Sequence, residues 1–244
     1  LTRFRGLIMY QGEDLIIVTG APGSRWSGVI RLLSLICKEI NISDNTARRV
    51  YEKRDSQGKV IGWHRGAYWG PHNQYGHKFD KLNTLSKEEV LEEFKKPFKD
   101  WDNGKKIIKS HWFAYHLPQL KQMFPKATMW SFFEEDKECF DWWHHVGGWD
   151  IYFPNYTWYV NDERMMKQIG IENSNIKDFF KLKRYAGWKE AVTELGLSTD
   201  IRTIPEVIEL DPDFDKIHKN DKAEVYNAFL DDMFSRKKMG IITS

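Results

Sequence analysis

The chain has 244 residues, of which 41% are hydrophobic and 30% charged, with a formal net charge of +2. That balance is ordinary for a globular protein, and the basic residues are scattered, so neither nucleic acid nor a membrane surface is an expected partner. No run of 18 apolar residues and no signal peptide is visible, and two distant cysteines, Cys37 and Cys139, make no disulfide or metal framework. A reducing compartment, the cytoplasm, is the expected location.

Residues 1–14 show no sustained period. Leu15–Thr19 is a short apolar and β-branched run, which predicts a buried strand. After a Gly/Pro/Ser turn, Val29, Ile30, Leu32, Leu33, Leu35 and Ile36 recur at helical spacing, so a helix is predicted over 27–40, with Cys37 on its apolar side. From Asn41 to about Phe79 Gly, His, Asn and aromatics dominate. Trp63 to His72 follows no period, and the stretch is predicted to be a long loop suited to covering a substrate. Its aromatics are equally suited to stacking on an acceptor or to anchoring the loop in the core.

Ser86 and Glu89 form a capping box for a helix over 87–94. Asp102-Asn103-Gly104 is a turn, and 105–110 is a short strand ending at His111. A helix over 117–124 follows, with Pro118 in its first turn and Pro125 just beyond it. Then come a strand over 127–133 and a helix over 136–145, closed by Gly147-Gly148. Beyond Ile151 the pattern is less regular; helices are predicted over 175–195 and 220–237, joined through a Pro/Asp-rich connection near 205–212. Alternating strands and helices predict the α/β class: one domain over 1–244, with a central parallel sheet flanked by helices.

The junction Leu15–Gly28 carries the clearest chemistry. A buried strand that runs through a tight loop into a helix N-terminus presents backbone N–H groups and a dipole that favour an anion. The predicted ligand is a phosphate or sulfate ester on a nucleotide; the plain alternative is a turn of no chemical use. The common loop G-x-x-x-x-G-K-[ST] is not met. Counted from Gly20, Arg25 and Trp26 stand where Gly and Lys are required, and only Ser27 fits.

Pro22-Gly23-Ser24-Arg25-Trp26-Ser27 instead resembles the P-[KR]-S-G-T-T-W loop of sulfotransferases that use 3′-phosphoadenosine 5′-phosphosulfate. Pro22, Ser24 and Ser27 match in place; the family's basic residue falls on Gly23, with Arg25 two positions on. Lys109-Ser110-His111, followed by Leu117-Pro118, is similar to the family's Lys-Thr-His at a strand end before Leu-Pro and a helix. The resemblance spans roughly residues 14–145. It implies a P-loop-type domain that binds the donor at Pro22, Gly23, Ser24, Arg25, Trp26, Ser27 and Gly28, without a metal. It also implies that His111 is the general base and that Lys109 stabilises the transferring group. These residue types suit the reaction: an imidazole titrates near neutrality, and a cation offsets charge on a group in flight. The acceptor implied is a hydroxyl or amine of a small molecule or carbohydrate.

The likeness breaks at the family's 3′-phosphate clamp. Aligning Trp142-Trp143-His144 with its aromatic-aromatic-His end puts Phe133 at the Arg position and Asp141 at the Ser position, with Glu134, Glu135 and Asp136 in the turn. Lys181, Lys183 and Arg184, before Gly187-Trp188-Lys189, are similar to a late basic loop of the family and would replace the lost cation; a solvated helix face is the alternative. Two other functions stay open. One is a nucleotide or small-molecule kinase with Mg²⁺ on the acidic turn, and the other is a non-catalytic nucleotide-binding protein of the same fold. His64, His72 and His77 match no helical pair or finger, so no metal is expected there.

Overall fold

The computed structural model describes residues 10–44, 49–54, 56–58, 60–151, 154–198, 231 and 234–243. In chain order the strands are β1 (Leu15–Gly20), β2 (Arg49–Arg54), β3 (Val60–Arg65), β4 (Lys106–Lys109), β5 (Thr128–Phe133) and β6 (Lys238–Ile242). The helices are α1 (Trp26–Ile36), α2 (Lys87–Lys95), α3 (Leu117–Met123), α4 (Asp136–His145), α5 (Asp162–Phe179) and α6 (Trp188–Glu194).

The protein is α/β. Its main sheet has four strands in the order β4-β1-β5-β6. β1 pairs parallel with β4 and β5, while β6 joins antiparallel to β5, so the expected parallel sheet is mixed at one edge. β1 is buried along its whole length, as a strand covered on both faces must be. Ile16 and Val18 pack with α1 and α6, and Leu15 and Ile17 pack with α2, α3 and α5. Because β1, β4 and β5 run the same way, Gly20, Lys109 and Phe133 end at one edge. β6, running the other way, starts there.

α1 stops at Ile36, earlier than predicted. Cys37 leaves the helix, and Ile40 bridges Lys105 instead. The predicted loop over 41–79 contains the antiparallel hairpin β2–β3, turned through Gly58 at φ 82°. Neither RVYEKR nor VIGWHR keeps a two-residue alternation, so the sequence carries no strand period there. The predicted helix over 175–195 is two helices, α5 and α6, with Lys183 between them bridged to Met239 of β6. α5 starts much earlier, capped by Asn161, whose side chain accepts from the Arg164 N–H at 2.9 Å. Its buried stripe Met165, Ile169, Ile176 is interrupted by Glu172 and Asn173, so the helical period was weak in sequence. Of the predicted helix over 220–237, residues 220–230, 232 and 233 and the Pro205–Pro212 connection lie outside the described residues; residues 234–236 are helical and lead through Lys237 into β6. The capping box of α2 is present, with Glu89 N–H donating to Ser86 Oγ at 3.2 Å and Ser86 N–H to Glu89 Oε2 at 2.8 Å. Among the described residues no helix is long and apolar enough to cross a membrane.

Candidate functional site

The loop from Gly20 to Arg25 connects β1 to α1. The Ser24 N–H closes a turn on the Ala21 carbonyl at 3.0 Å. Gly23, at φ +84°, lies so close to α4 that a Cβ there would stand 1.8 Å from the Cys139 carbonyl oxygen. At that position only glycine fits without moving the α4 backbone. Arg25 ends the loop in the left-handed region, at φ 63°, and gives α1 no side-chain cap. Among the described residues no backbone carbonyl accepts from the N–H groups of Arg25, Trp26, Ser27 or Gly28. The Ser24 hydroxyl is buried against Gly20 and has no partner among the described residues. Pro22 is buried and Trp26 turns inward, so neither offers its side chain to a ligand.

His111 comes to this loop from the end of β4. Ser110 caps the short 3-10 turn that follows, accepting from the Trp112 N–H at 3.0 Å. The imidazole is buried, with the Trp26 ring edge-on at 5.0 Å and Tyr68 at 5.6 Å. Nδ1 bonds the Gly20 carbonyl, and Nε2 lies 2.9 Å from the Tyr156 hydroxyl. A carbonyl only accepts, so Nδ1 carries the proton and Nε2 offers its lone pair, which Tyr156 now fills. Burial outweighs the Gly20 bond and lowers the His111 pKa to about 4, so the ring is neutral at pH 7.

Lys109 is buried one residue before Ser110. Desolvation lowers its ammonium to about 8, opposed by the Asp44 carboxylate, which also accepts from the Ala67 N–H at 3.0 Å. On the other side of His111, Tyr156 and Tyr159 lie in a largely aromatic cluster. The Tyr159 hydroxyl donates to Glu172 Oε1 at 3.2 Å, and Glu172 Oε2 has no partner among the described residues. Burial raises the Glu172 carboxyl well above its ordinary value. Tyr68, Ser110, Trp112, Tyr156, Trp158 and Tyr159 line a cavity of about 20 Å³, the size of one water.

A larger open cleft of about 510 Å³ adjoins the loop at Arg25, within the size range of small-ligand sites. Arg25, Arg236 and His145 bring basic groups to it, and Glu134, Glu138 and Asp141 bring acids. The Arg25 guanidinium lies 4.1 Å above the Trp142 ring, which also lines the cleft. Phe133 is a core residue with Lys177 and Lys238 over its ring at 5.1 and 5.5 Å, and Asp141 is exposed and bonded to Lys137. Lys183 is bonded to Glu194 at 2.5 Å, and Lys181 and Arg184 are exposed in the connection between α5 and α6. The aromatic stretch of the expected substrate loop is buried. Trp69 is a core residue, and Tyr68, also buried, packs on His111 and accepts from its backbone N–H at 2.9 Å.

Two participants escape a reading of the sequence. Tyr156 caps His111 from 45 residues away. Lys237, only 2% exposed, donates to the Ser24 carbonyl at 2.7 Å and to Glu134 Oε2 at 3.0 Å. It lies in a segment predicted to be helical, and neither local spacing nor composition marks either residue. No protein-family model, curated protein or solved structure matches the chain.

Proposed function

We propose that the chain is a sulfotransferase-like protein of P-loop type, moving a sulfuryl group from 3′-phosphoadenosine 5′-phosphosulfate to a hydroxyl or amine acceptor. The observation that carries this is the bond between His111 Nδ1 and the Gly20 carbonyl, which seats an imidazole directly against the amide-bearing loop. The same bond holds the ring in the tautomer a base needs, and burial keeps it unprotonated. In the step proposed, the acceptor oxygen forms a bond to sulfur while its proton passes to His111 Nε2. The bond from sulfur to the 5′-phosphate oxygen breaks, and adenosine 3′,5′-bisphosphate leaves with the electron pair. The free amides of the loop and Arg25 hold the phosphosulfate, with Lys109 the nearby buried cation of the sequence motif. Tyr156 stands where the acceptor hydroxyl must arrive, so it either gives way to the acceptor or passes the proton on. Two buried free cysteines accord with the cytoplasm as the location.

The kinase alternative loses support because Glu134 and Asp136 already accept bonds from Lys237 and Asn173. The non-catalytic alternative has one observation in its favour: both ring nitrogens of His111 are occupied. The test is bisphosphate release from the donor across a panel of hydroxyl and amine acceptors. His111→Ala is expected to lower turnover by ~10²–10⁴-fold while binding of the bisphosphate product stays within a few-fold. Equal turnover in the variant removes His111 from the chemistry; bisphosphate binding without any release in the wild type selects the non-catalytic alternative.

A further inference from the structure

The loop carries no lysine of its own, yet a buried lysine reaches it from the other end of the chain. Lys237 Nζ bridges the Ser24 carbonyl and the Glu134 carboxylate, and its side chain is 3% exposed. The Ser24 carbonyl and the Arg25 N–H belong to one planar trans peptide and point in opposite directions. Fixing the carbonyl on Lys237 therefore turns the Arg25 N–H away from Lys237. The same peptide leads into the left-handed Arg25, a conformation that costs a non-glycine residue energy and persists only where the surroundings impose it. The buried, unpartnered Ser24 hydroxyl belongs to the same turn.

We propose that Lys237, locked in place by Glu134, is a positioning residue that sets the Ser24–Arg25 peptide so that the Arg25 amide faces a bound sulfate or phosphate ester. This rests on the loop being the oxyanion site argued above. Glu134 has a defined part in it. A buried ammonium without a counter-charge is driven to lose its proton, and desolvation already pulls Lys237 down while Glu134 opposes that pull. The acid in the turn, a poor neighbour for a phosphate when read alone, is thus the partner that keeps the latch charged.

The test is the double variant K237M/E134Q. Both charges leave together, so the net charge near the loop is unchanged and no buried ion is stranded. Cooperative melting near the wild-type temperature is expected, with adenosine 3′,5′-bisphosphate bound about 10- to 100-fold more weakly. The ¹H–¹⁵N resonance of the Arg25 amide is expected to be displaced even without ligand. In the wild type that resonance is expected to move on saturation with the bisphosphate, a readout that needs no variant. Wild-type affinity in the folded double variant overturns the proposal. So does weakened binding with an unmoved Arg25 amide, which would mean that Lys237 touches the ligand directly. An Arg25 amide that ignores bound bisphosphate in the wild type overturns it as well. If the wild type binds no bisphosphate at all, the oxyanion site itself fails and the latch with it; failure in the variants alone leaves that site standing.

Discussion

The two ends of the main sheet handle buried polar groups in opposite ways. At the amino end of β4, Lys106 is 1% exposed and fully matched. Its ammonium pairs with Asp14, its N–H donates to the Asp14 carbonyl at 2.8 Å, and the Tyr10 hydroxyl donates to the same carboxylate. Trp101 covers the ammonium at 5.2 Å. At the carboxyl end, the Ser24 hydroxyl, Glu172 Oε2 and Asn173 Oδ1 are buried without partners among the described residues. Lys109 and His111 are held there with pKa values pulled down to about 8 and about 4. The same strands supply both ends, so the contrast does not come from secondary structure. Unmatched oxygens and shifted proton affinities stand together where the loops of parallel strands converge, the edge where α/β sheets bind ligands.

The contrast makes predictions that differ in size. The largest concerns pH. His111 binds its proton less tightly folded, at about 4, than unfolded, so the unfolded chain takes up the proton first as pH falls through the ordinary histidine range. Stability contributed by the neutral ring is complete above that range and is lost progressively towards pH 4, by up to ~3 kcal/mol. Urea unfolding at pH 7 and pH 5 is expected to show a larger difference for the wild type than for His111→Gln; equal differences would place His111 in contact with water.

Next comes a crossed pair of substitutions, one at each end. Lys106→Met leaves Asp14 short of a partner and is expected to lower stability by ~1–3 kcal/mol, with bisphosphate affinity unchanged. Ser24→Ala removes an unmatched hydroxyl and is expected to change stability by less than ~0.5 kcal/mol, while bisphosphate affinity drops about tenfold. If Ser24→Ala destabilises as much as Lys106→Met and leaves affinity alone, the carboxyl end is ordinary packing and the contrast disappears.

Much of the frame was readable in the chain. β1, β4 and β5 are short apolar runs between turn residues, and the ends of α2, α3 and α4 follow cap and proline signals. Their carboxyl ends were therefore readable too, which is how His111 and the 20–28 loop were brought to one edge. The rest depended on tertiary partners. α5 hides its stripe because Glu172 and Asn173 turn inward, and they do so because Tyr159 and Asp136 meet them. Phe133 reads as a lost clamp in an alignment, but in the fold it packs in the core beneath Lys177 and Lys238. Lys237 carries no local signal, since what defines it is a carbonyl 213 residues away.

The amides after Gly20 are proposed to form one oxyanion site. Calorimetric titration of the wild type with adenosine 3′,5′-bisphosphate, beside adenosine as the uncharged control, tests it most directly. Saturable one-to-one binding of the bisphosphate is predicted, at least tenfold tighter than adenosine because the charged hydrogen bonds exist only for the ester. No saturable heat, or equal affinity for the two, would contradict it.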